Sequence, residues 1–364
     1  MTIEALFQPF TVKSLTLKNR FVLAPMSRYT SSNETPTDEL VSYHRRRAER
    51  ALGLTITGAT AVDRPAANNH PELACFRPHT HAAWQRVVDA VHDAGGPIAL
   101  QLWHAGALYQ MEPDWLPVPV ESPSGIKPTG ETAGVAMSEE DIADTIDAFA
   151  RGAAEAQSMG FDAIEVHAAH GFLLDEFFWE ATNRREDRWG GKTLAQRSRF
   201  VIEVLRAVRG VLRPELPLFL RLSQWKEQDY ETRLAHNPDE LQAWLEPLVD
   251  AGVDVFNCSQ RRYWEAEFPG SDLNFAGWVK KLSGLPTITV GSVGLDTDVM
   301  EFFEGKTAHT TPIDELLRRF ERGDFDLVAV GRALLADPDW IIKLRDGRLR
   351  NNSTLEPGDF AQWT

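Results

Sequence analysis

The stretch Glu165-Val166-His167-Ala168-Ala169-His170-Gly171-Phe172 ends an apolar run and carries two histidines three residues apart. Paired imidazoles there can donate hydrogen bonds to an oxygen that gains negative charge, or, with further ligands, hold a metal ion. His104, at the end of PIALQLWH, is the available third ligand, and no acidic cluster completes such a set. Two histidines satisfied within a loop are the bland alternative, and residue type and spacing leave all three open. Arg221 lies inside another apolar run, LFLRLS. An arginine in such a place needs an anionic partner, either a neighbouring carboxylate such as Glu165 or an anionic ligand or electron-rich ring. Gln101 offers a donor and an acceptor together, which suits the edge of a heterocycle or a polar core layer. Gly291-Ser292-Val293-Gly294 and Gly331-Arg332 each follow a β-branched run. Glycine lets backbone N–H groups approach an anion and Arg332 neutralises charge, which suits a phosphate.

Eight short apolar runs must position these groups: FVLAPM from Phe21, LTITGA from Leu54, PIALQLWH from Pro97, AIEVHA from Ala163, LFLRLS from Leu218, VDVFNCS from Val253, PTITVGS from Pro286 and DLVAVGR from Asp326. They read as buried parallel strands, near-continuously apolar. Segments of helical period alternate with them. One starts at Ser138, with Asp141 completing a capping box, and stops at Gly160. Another starts at Asn237 with Pro238 at its first position and stops at Gly252, and Pro247 should kink it. Eight such units predict a single eightfold β/α (TIM) barrel over residues 1–364. A doubly wound sheet is the competitor, but no GxGxxG lies near Met26. Residues before Phe21 are expected to close the barrel bottom as a small hairpin. Residues 105–137 form a long insertion after the third strand, and 169–192 and 259–272 also leave C-terminal strand ends, the end where barrels carry their active sites. A phosphate site after strands 7 and 8, a cation and an amide facing a ring, and two histidines over the mouth together suit a phosphorylated flat cofactor, flavin mononucleotide (FMN).

Composition narrows the partners. With 38 basic and 53 acidic residues among 364 the formal charge is −15, which disfavours nucleic acid. Cys75 and Cys258 are the only cysteines, so neither a disulfide framework nor CxxC metal spacing is expected. No segment reaches the roughly 20 apolar residues of a membrane span, and the N-terminus has no signal-peptide pattern. A cytoplasmic protein is expected, with the Trp-rich tail ending at Trp363 available to a homo-oligomer interface.

The chain resembles the Old Yellow Enzyme family of flavin-dependent ene-reductases over nearly its full length. The resemblance rests on LKNRFVLAPMSRY from Leu17, TGATAV from Thr57, ALQLWHAG from Ala99, EVHAAHGFLLDEFF from Glu165, NRREDRWGG from Asn183, LRLS, ITVGSVG and LVAVGRALLADPDW, in family order. It implies that Pro25, Met26 and Ser27 border the flavin, with Ala59 beside it. Gln101 would bond the pyrimidine ring, and Arg221 would stand near N1 and the C2 carbonyl. Gly331 and Arg332 would hold the phosphate, helped by the backbone of Ser292, Val293 and Gly294. His167 and His170 would bind a substrate carbonyl, in a pocket shaped by Tyr29, Trp103 and Phe172. The implied reaction passes a hydride from NADPH or NADH to FMN, then to the β-carbon of an alkene activated by a carbonyl or nitro group. Two departures stand out. Phe172 stands where many relatives carry the tyrosine that protonates the α-carbon, leaving water or another residue such as Tyr29, Tyr109 or Tyr263 as the source. Ala107 stands where relatives often carry arginine. A metal-dependent barrel hydrolase using His104, His167 and His170 is the alternative from another chemical class, and a non-catalytic binding barrel is a third.

Overall fold

The computed structural model describes residues 3–108, 116, 118–349 and 353–358; Tyr109 and Trp363 lie outside them. The eight apolar runs are eight parallel strands: β1 (Phe21–Leu23), β2 (Leu54–Ile56), β3 (Ile98–Trp103), β4 (Ala163–His170), β5 (Leu218–Lys226), β6 (Val255–Ser259), β7 (Thr287–Val290) and β8 (Leu327–Val330). Each pairs with the next, and Val328 of β8 pairs with Phe21 of β1, so the sheet closes on itself. Helices fill the connections: α1 (Asp38–Ala48), α2 (His81–Asp93), α3 (Glu139–Ser158), α4 (Arg199–Val211), α5 (Pro238–Asp250), α6 (Phe275–Ser283) and α7 (Asp314–Arg322). The architecture is the expected TIM barrel.

Local signals set the helix ends. Ser138 caps α3 by accepting the Asp141 N–H while the Asp141 carboxylate accepts the Ser138 N–H, and Gly160 (φ +93°) turns the chain beyond it. Asn237 caps α5 by accepting the Glu240 N–H. This helix continues through Pro247 to Asp250, although Pro247 has no N–H to offer the Ala243 carbonyl.

Inside the barrel one residue from each strand forms an apolar plug: Val22, Leu54, Ala99, Ala163, Phe219, Val255, Ile288 and Leu327. Leu15 and Leu17 pack onto it from the antiparallel hairpin Phe10–Val12/Leu15–Leu17, which closes the lower end as expected. Two residues further along β3, β4, β5 and β6 come Gln101, Glu165, Arg221 and Asn257, all buried. Side chains two apart on a strand share a face, so a polar layer sits on the apolar one.

The upper ends of β4 and β5 differ from the sequence reading. Strand β5 runs on past Ser223 to Lys226, and both histidines belong to β4. The register shifts between Ala168 and His170, where a bulge pairs His170 with Lys226. The His170 N–H donates to Ser223 Oγ and the Glu227 N–H to the His170 carbonyl, so the pairing extends beyond the apolar run. Within the 105–137 connection Glu121–Ser122 pairs in parallel with Val135–Ala136, and Glu176 accepts the N–H groups of Ala107 and Leu108, tying this loop to the helix Leu173–Phe178.

Candidate active site

Glu165, fully buried, accepts Gln101 Nε2 at 2.8 Å and Asn257 Nδ2 at 2.7 Å. Its carboxylate is therefore spent on two amides, and the carboxylate partner considered for Arg221 is not at hydrogen-bond distance. Arg221 makes no hydrogen bond or ion pair among the described residues, and its buried Nε and Nη1 are unsatisfied. Burial disfavours its charge, while the Glu165 and Glu227 carboxylates act in the opposite sense. An unpartnered buried guanidinium costs several kcal/mol, roughly, and calls for an acceptor-rich ligand above it.

The histidines stand beside this cation. His167 Nδ1 accepts the Ala169 N–H at 3.3 Å, which assigns the ring proton to Nε2. His170 takes a left-handed backbone (φ +68°) and places Nε2 2.8 Å from Ser259 Oγ. Its ring stacks on Trp225 at 4.4 Å, Trp225 stacks on Tyr230 at 4.8 Å, and the Arg261 guanidinium lies 3.9 Å over Tyr230. The two imidazole centroids are 5.2 Å apart, and Phe172 sets its ring at right angles to both His167 and Trp103. Burial first, and the Arg221 charge second, hold both histidines well below the ordinary histidine range. At neutral pH they are uncharged hydrogen-bonding groups.

His104 is not part of this pair. It is buried, accepts the Gly106 N–H at Nδ1, and keeps Nε2 3.5 Å from Glu121, itself held by Arg64. Among the described residues no group of three or more His, Cys, Asp or Glu could hold a metal ion, which removes the support for the hydrolase alternative.

At the β7 and β8 ends, Ser292 (φ +51°) places Oγ 3.0 Å from the Arg261 and Thr297 carbonyls. A Cβ on Gly291 (φ +143°) would meet the Gln260 carbonyl oxygen at 2.5 Å, so glycine is required. Val293 is buried in the core and Gly294 lies against the Trp340 ring. Arg332 donates to the Asp298 and Thr297 carbonyls at 3.1 and 2.5 Å and to Ser292 Oγ at 3.3 Å. The Asp298 carboxylate is taken by Arg261 and Arg262, so among the described residues Arg332 has no carboxylate at ion-pair distance, and burial lowers its pKa to about 10. Across the barrel top the Ala59 N–H reaches Ser27 Oγ at 3.5 Å. A Cβ on Gly58 would overlap Pro25, and one on Gly331 would touch Met26 Sδ at 3.4 Å. A strip of small residues beside Pro25, Met26 and Ser27, an orphaned cation and a glycine-rich cationic corner fit a flat ring with a phosphorylated tail.

Tyr29 (φ +47°) meets His70 edge-on at 5.0 Å. Tyr263 is a correction: it is buried against Glu315, Arg319 and the Leu316 backbone at α7, away from the mouth, so it is no proton donor there. Ser223, Trp225, Asn257 and Ser259 were missed in the sequence. Counting in twos from Arg221 would have found the first two.

The chain matches the model of the NADH:flavin oxidoreductase / NADH oxidase family over residues 5–351. It is 33% identical over 339 residues to an NADPH dehydrogenase of Bacillus subtilis (strain 168), covering 92% of each chain. Among solved structures it is similar to morphinone reductase at 27% identity and TM-score 0.76, covering 96% of this chain and 91% of that one. It is also similar to Old Yellow Enzyme from Pichia sp. AKU4542 at 25% identity and TM-score 0.77, covering 95% and 87%. No helix among the described residues is long and apolar enough to cross a membrane. With the barrel, the orphaned cation and the full-length match in agreement, the chain belongs to the NADH:flavin oxidoreductase / NADH oxidase family, the Old Yellow Enzymes, and is an NAD(P)H-dependent flavin oxidoreductase.

Proposed function

We propose that the chain is an FMN-dependent ene-reductase acting on small alkenes conjugated to a carbonyl or nitro group, with NADPH as reductant. The observation that carries this reading is the unpartnered Arg221 beside a pair of neutral histidines. The name of the Bacillus relative supports the nicotinamide choice. When bound, FMN supplies the hydride chemistry, accepting hydride from the nicotinamide and passing it to the alkene β-carbon.

In this reading Arg221 takes the acceptor-rich edge of the ring with Nε and Nη1 and stabilises negative charge there, assisted by Gln101. Pro25, Met26, Ser27 and Ala59 flank the ring. The Ser292, Val293 and Gly294 backbone, Gly331 and Arg332 take the phosphate, the guanidinium being fixed by the Thr297 and Asp298 carbonyls. His167 offers its Nε2 proton to the substrate oxygen, and His170 offers Nδ1 when Ser259 donates to Nε2. Neutral donors aimed at that oxygen bind it more strongly as it gains enolate character, which lowers the barrier. Tyr29, Trp103 and Phe172 shape the apolar wall and exclude water.

The test is spectroscopic. The purified protein is expected to show visible flavin absorption, to bleach anaerobically with NADPH and to regain colour on adding a cyclic enone. A colourless protein that takes up no added FMN, or a bleached one that no enone or nitroalkene reoxidises, would overturn the proposal.

A further inference from the structure

A single hydrogen bond fixes one point of an imidazole and leaves the ring free to turn about it, because the outer side-chain torsion of histidine is broad. Among the described residues the His170 ring has one such bond, to Ser259 Oγ at 2.8 Å. A flat contact supplies the missing constraint. The Trp225 indole, buried on β5, stacks on the imidazole at 4.4 Å and 30°, and the Tyr230 ring stacks on the indole in turn at 4.8 Å and 18°. All three rings touch one short stretch of chain, Ser259-Gln260-Arg261 at the end of β6. Ser259 Oγ meets His170 Nε2, the Ser259 carbonyl accepts Trp225 Nε1–H at 3.2 Å, and the Arg261 guanidinium lies 3.9 Å over Tyr230. That stretch is tied to the cationic corner, where the Arg261 carbonyl accepts Ser292 Oγ at 3.0 Å and its guanidinium meets the Asp298 carboxylate at 2.7 Å. On β5, Ser223 Oγ accepts the His170 N–H at 2.9 Å and donates to the Trp225 carbonyl at 2.7 Å, so one strand holds both the backbone and the ring of His170.

We propose that Trp225 is a positioning residue for the reaction, holding the plane of the His170 imidazole so that Nδ1, the nitrogen that Ser259 leaves free, meets the substrate oxygen. Tyr230 and Arg261 brace the indole. The inference rests on the ene-reductase reading, in which His167 and His170 share that oxygen. A hydrogen bond weakens steeply as its angle closes, so a ring rotated about the Ser259 bond still fills its place but no longer aims at the developing charge. The cost falls on the transition state, where that bond is strongest. His167 is held differently: its ring meets His170 and Phe172 edge-on, and its Nδ1 accepts the Ala169 N–H. Trp225 therefore acts on one of two donors, and its loss misaims that donor without deleting it.

The experiment compares wild type with Trp225→Leu, which keeps apolar bulk without a flat face, and Trp225→Phe, which keeps a ring. In stopped flow of the FMN-loaded, NADPH-bleached proteins, the limiting reoxidation rate at saturating cyclic enone is expected to fall about tenfold in W225L, less than the roughly 10²-fold of losing such a donor outright. The half-saturating enone concentration should change by less than about threefold. W225F should recover the limiting rate to within about threefold of wild type. A second readout needs no turnover. NMR of substrate-free proteins carrying isotope-labelled histidine should show the His170 ring protons, assigned by their loss in His170→Ala, displaced by the indole in wild type, less so in W225F and not in W225L. A folded W225L that reoxidises at the wild-type rate, a W225F as slow as W225L, or His170 signals alike in wild type and W225L would overturn the proposal. Where W225L does not fold, Tyr230→Leu, one ring further from the histidine, is expected to lower the limiting rate about twofold to threefold, and an unchanged rate there counts against the proposal equally. If wild type bleaches but no activated alkene reoxidises it, the ene-reductase reading falls, and the NMR comparison still decides whether Trp225 holds the His170 plane.

Discussion

A neutral imidazole has one donor and one acceptor, so what holds one nitrogen decides what the other can do. At His167 the Ala169 N–H occupies Nδ1 and leaves a donor at Nε2. At His170 the deciding group is the Ser259 hydroxyl, 2.8 Å from Nε2. Ser259→Ala removes that bond, worth about 1 kcal/mol net. The expected outcome is a kcat/KM for enone reduction lower by about fivefold, by the same free energy, with near-normal flavin binding. Steady-state kinetics beside a flavin titration checks it, and an unchanged kcat/KM would show that Ser259 does not govern His170. The histidine pair and Arg221 were legible in the sequence because their types are costly inside apolar runs. Ser259 was not, because a serine at a strand end is ordinary in type and gains meaning only from the groups around it.

At the scale of elements, the join between β4 and β5 carries the mouth of the site. The left-handed turn at His170 and Gly171 is held by the Gly171 N–H donating to Asp175 at 2.7 Å, and Asp175 forms a wholly buried pair with Lys226. Removing one member of a buried pair strands the other charge, at a cost of about 3–5 kcal/mol. Lys226→Met is therefore expected to lose stability of that order in urea unfolding, and Lys226→Met with Asp175→Leu to regain most of it. Equal destabilisation in single and double variants would show that packing, not charge, holds the turn. Apolar runs located β4 and β5, yet their upper ends were misplaced. A strand that continues through Gln224, Trp225 and Lys226 has no apolar signature there, being held by the bulge pairing and a salt bridge.

The whole molecule separates stability from chemistry along the barrel axis. The apolar plug and the Leu15/Leu17 hairpin close one end, and the polar layer and site occupy the other. Leu17→Ala, at a fully buried position, is expected to cost about 2–5 kcal/mol and lower the melting temperature while the flavin spectrum stays intact. Calorimetry beside visible absorption checks this, and loss of flavin in the folded variant would contradict the separation. A formal charge of −15 coexists with a cationic site because Arg221 and Arg332 act locally, in buried surroundings where screening is weak.

By itself the sequence determined the eightfold barrel, its helix caps, the bottom hairpin and most of the groups around the mouth. Strand alternation, capping and the cost of burying charge are local rules, readable one residue at a time. Only the tertiary structure decided that Glu165 is spent on Gln101 and Asn257, leaving Arg221 without a hydrogen-bond or ion-pair partner among the described residues, and that His104 sits against Glu121 and Tyr263 against α7. Which of several possible partners a polar group takes depends on strand register and on the closure of the barrel, and those are properties of residues far apart in the chain.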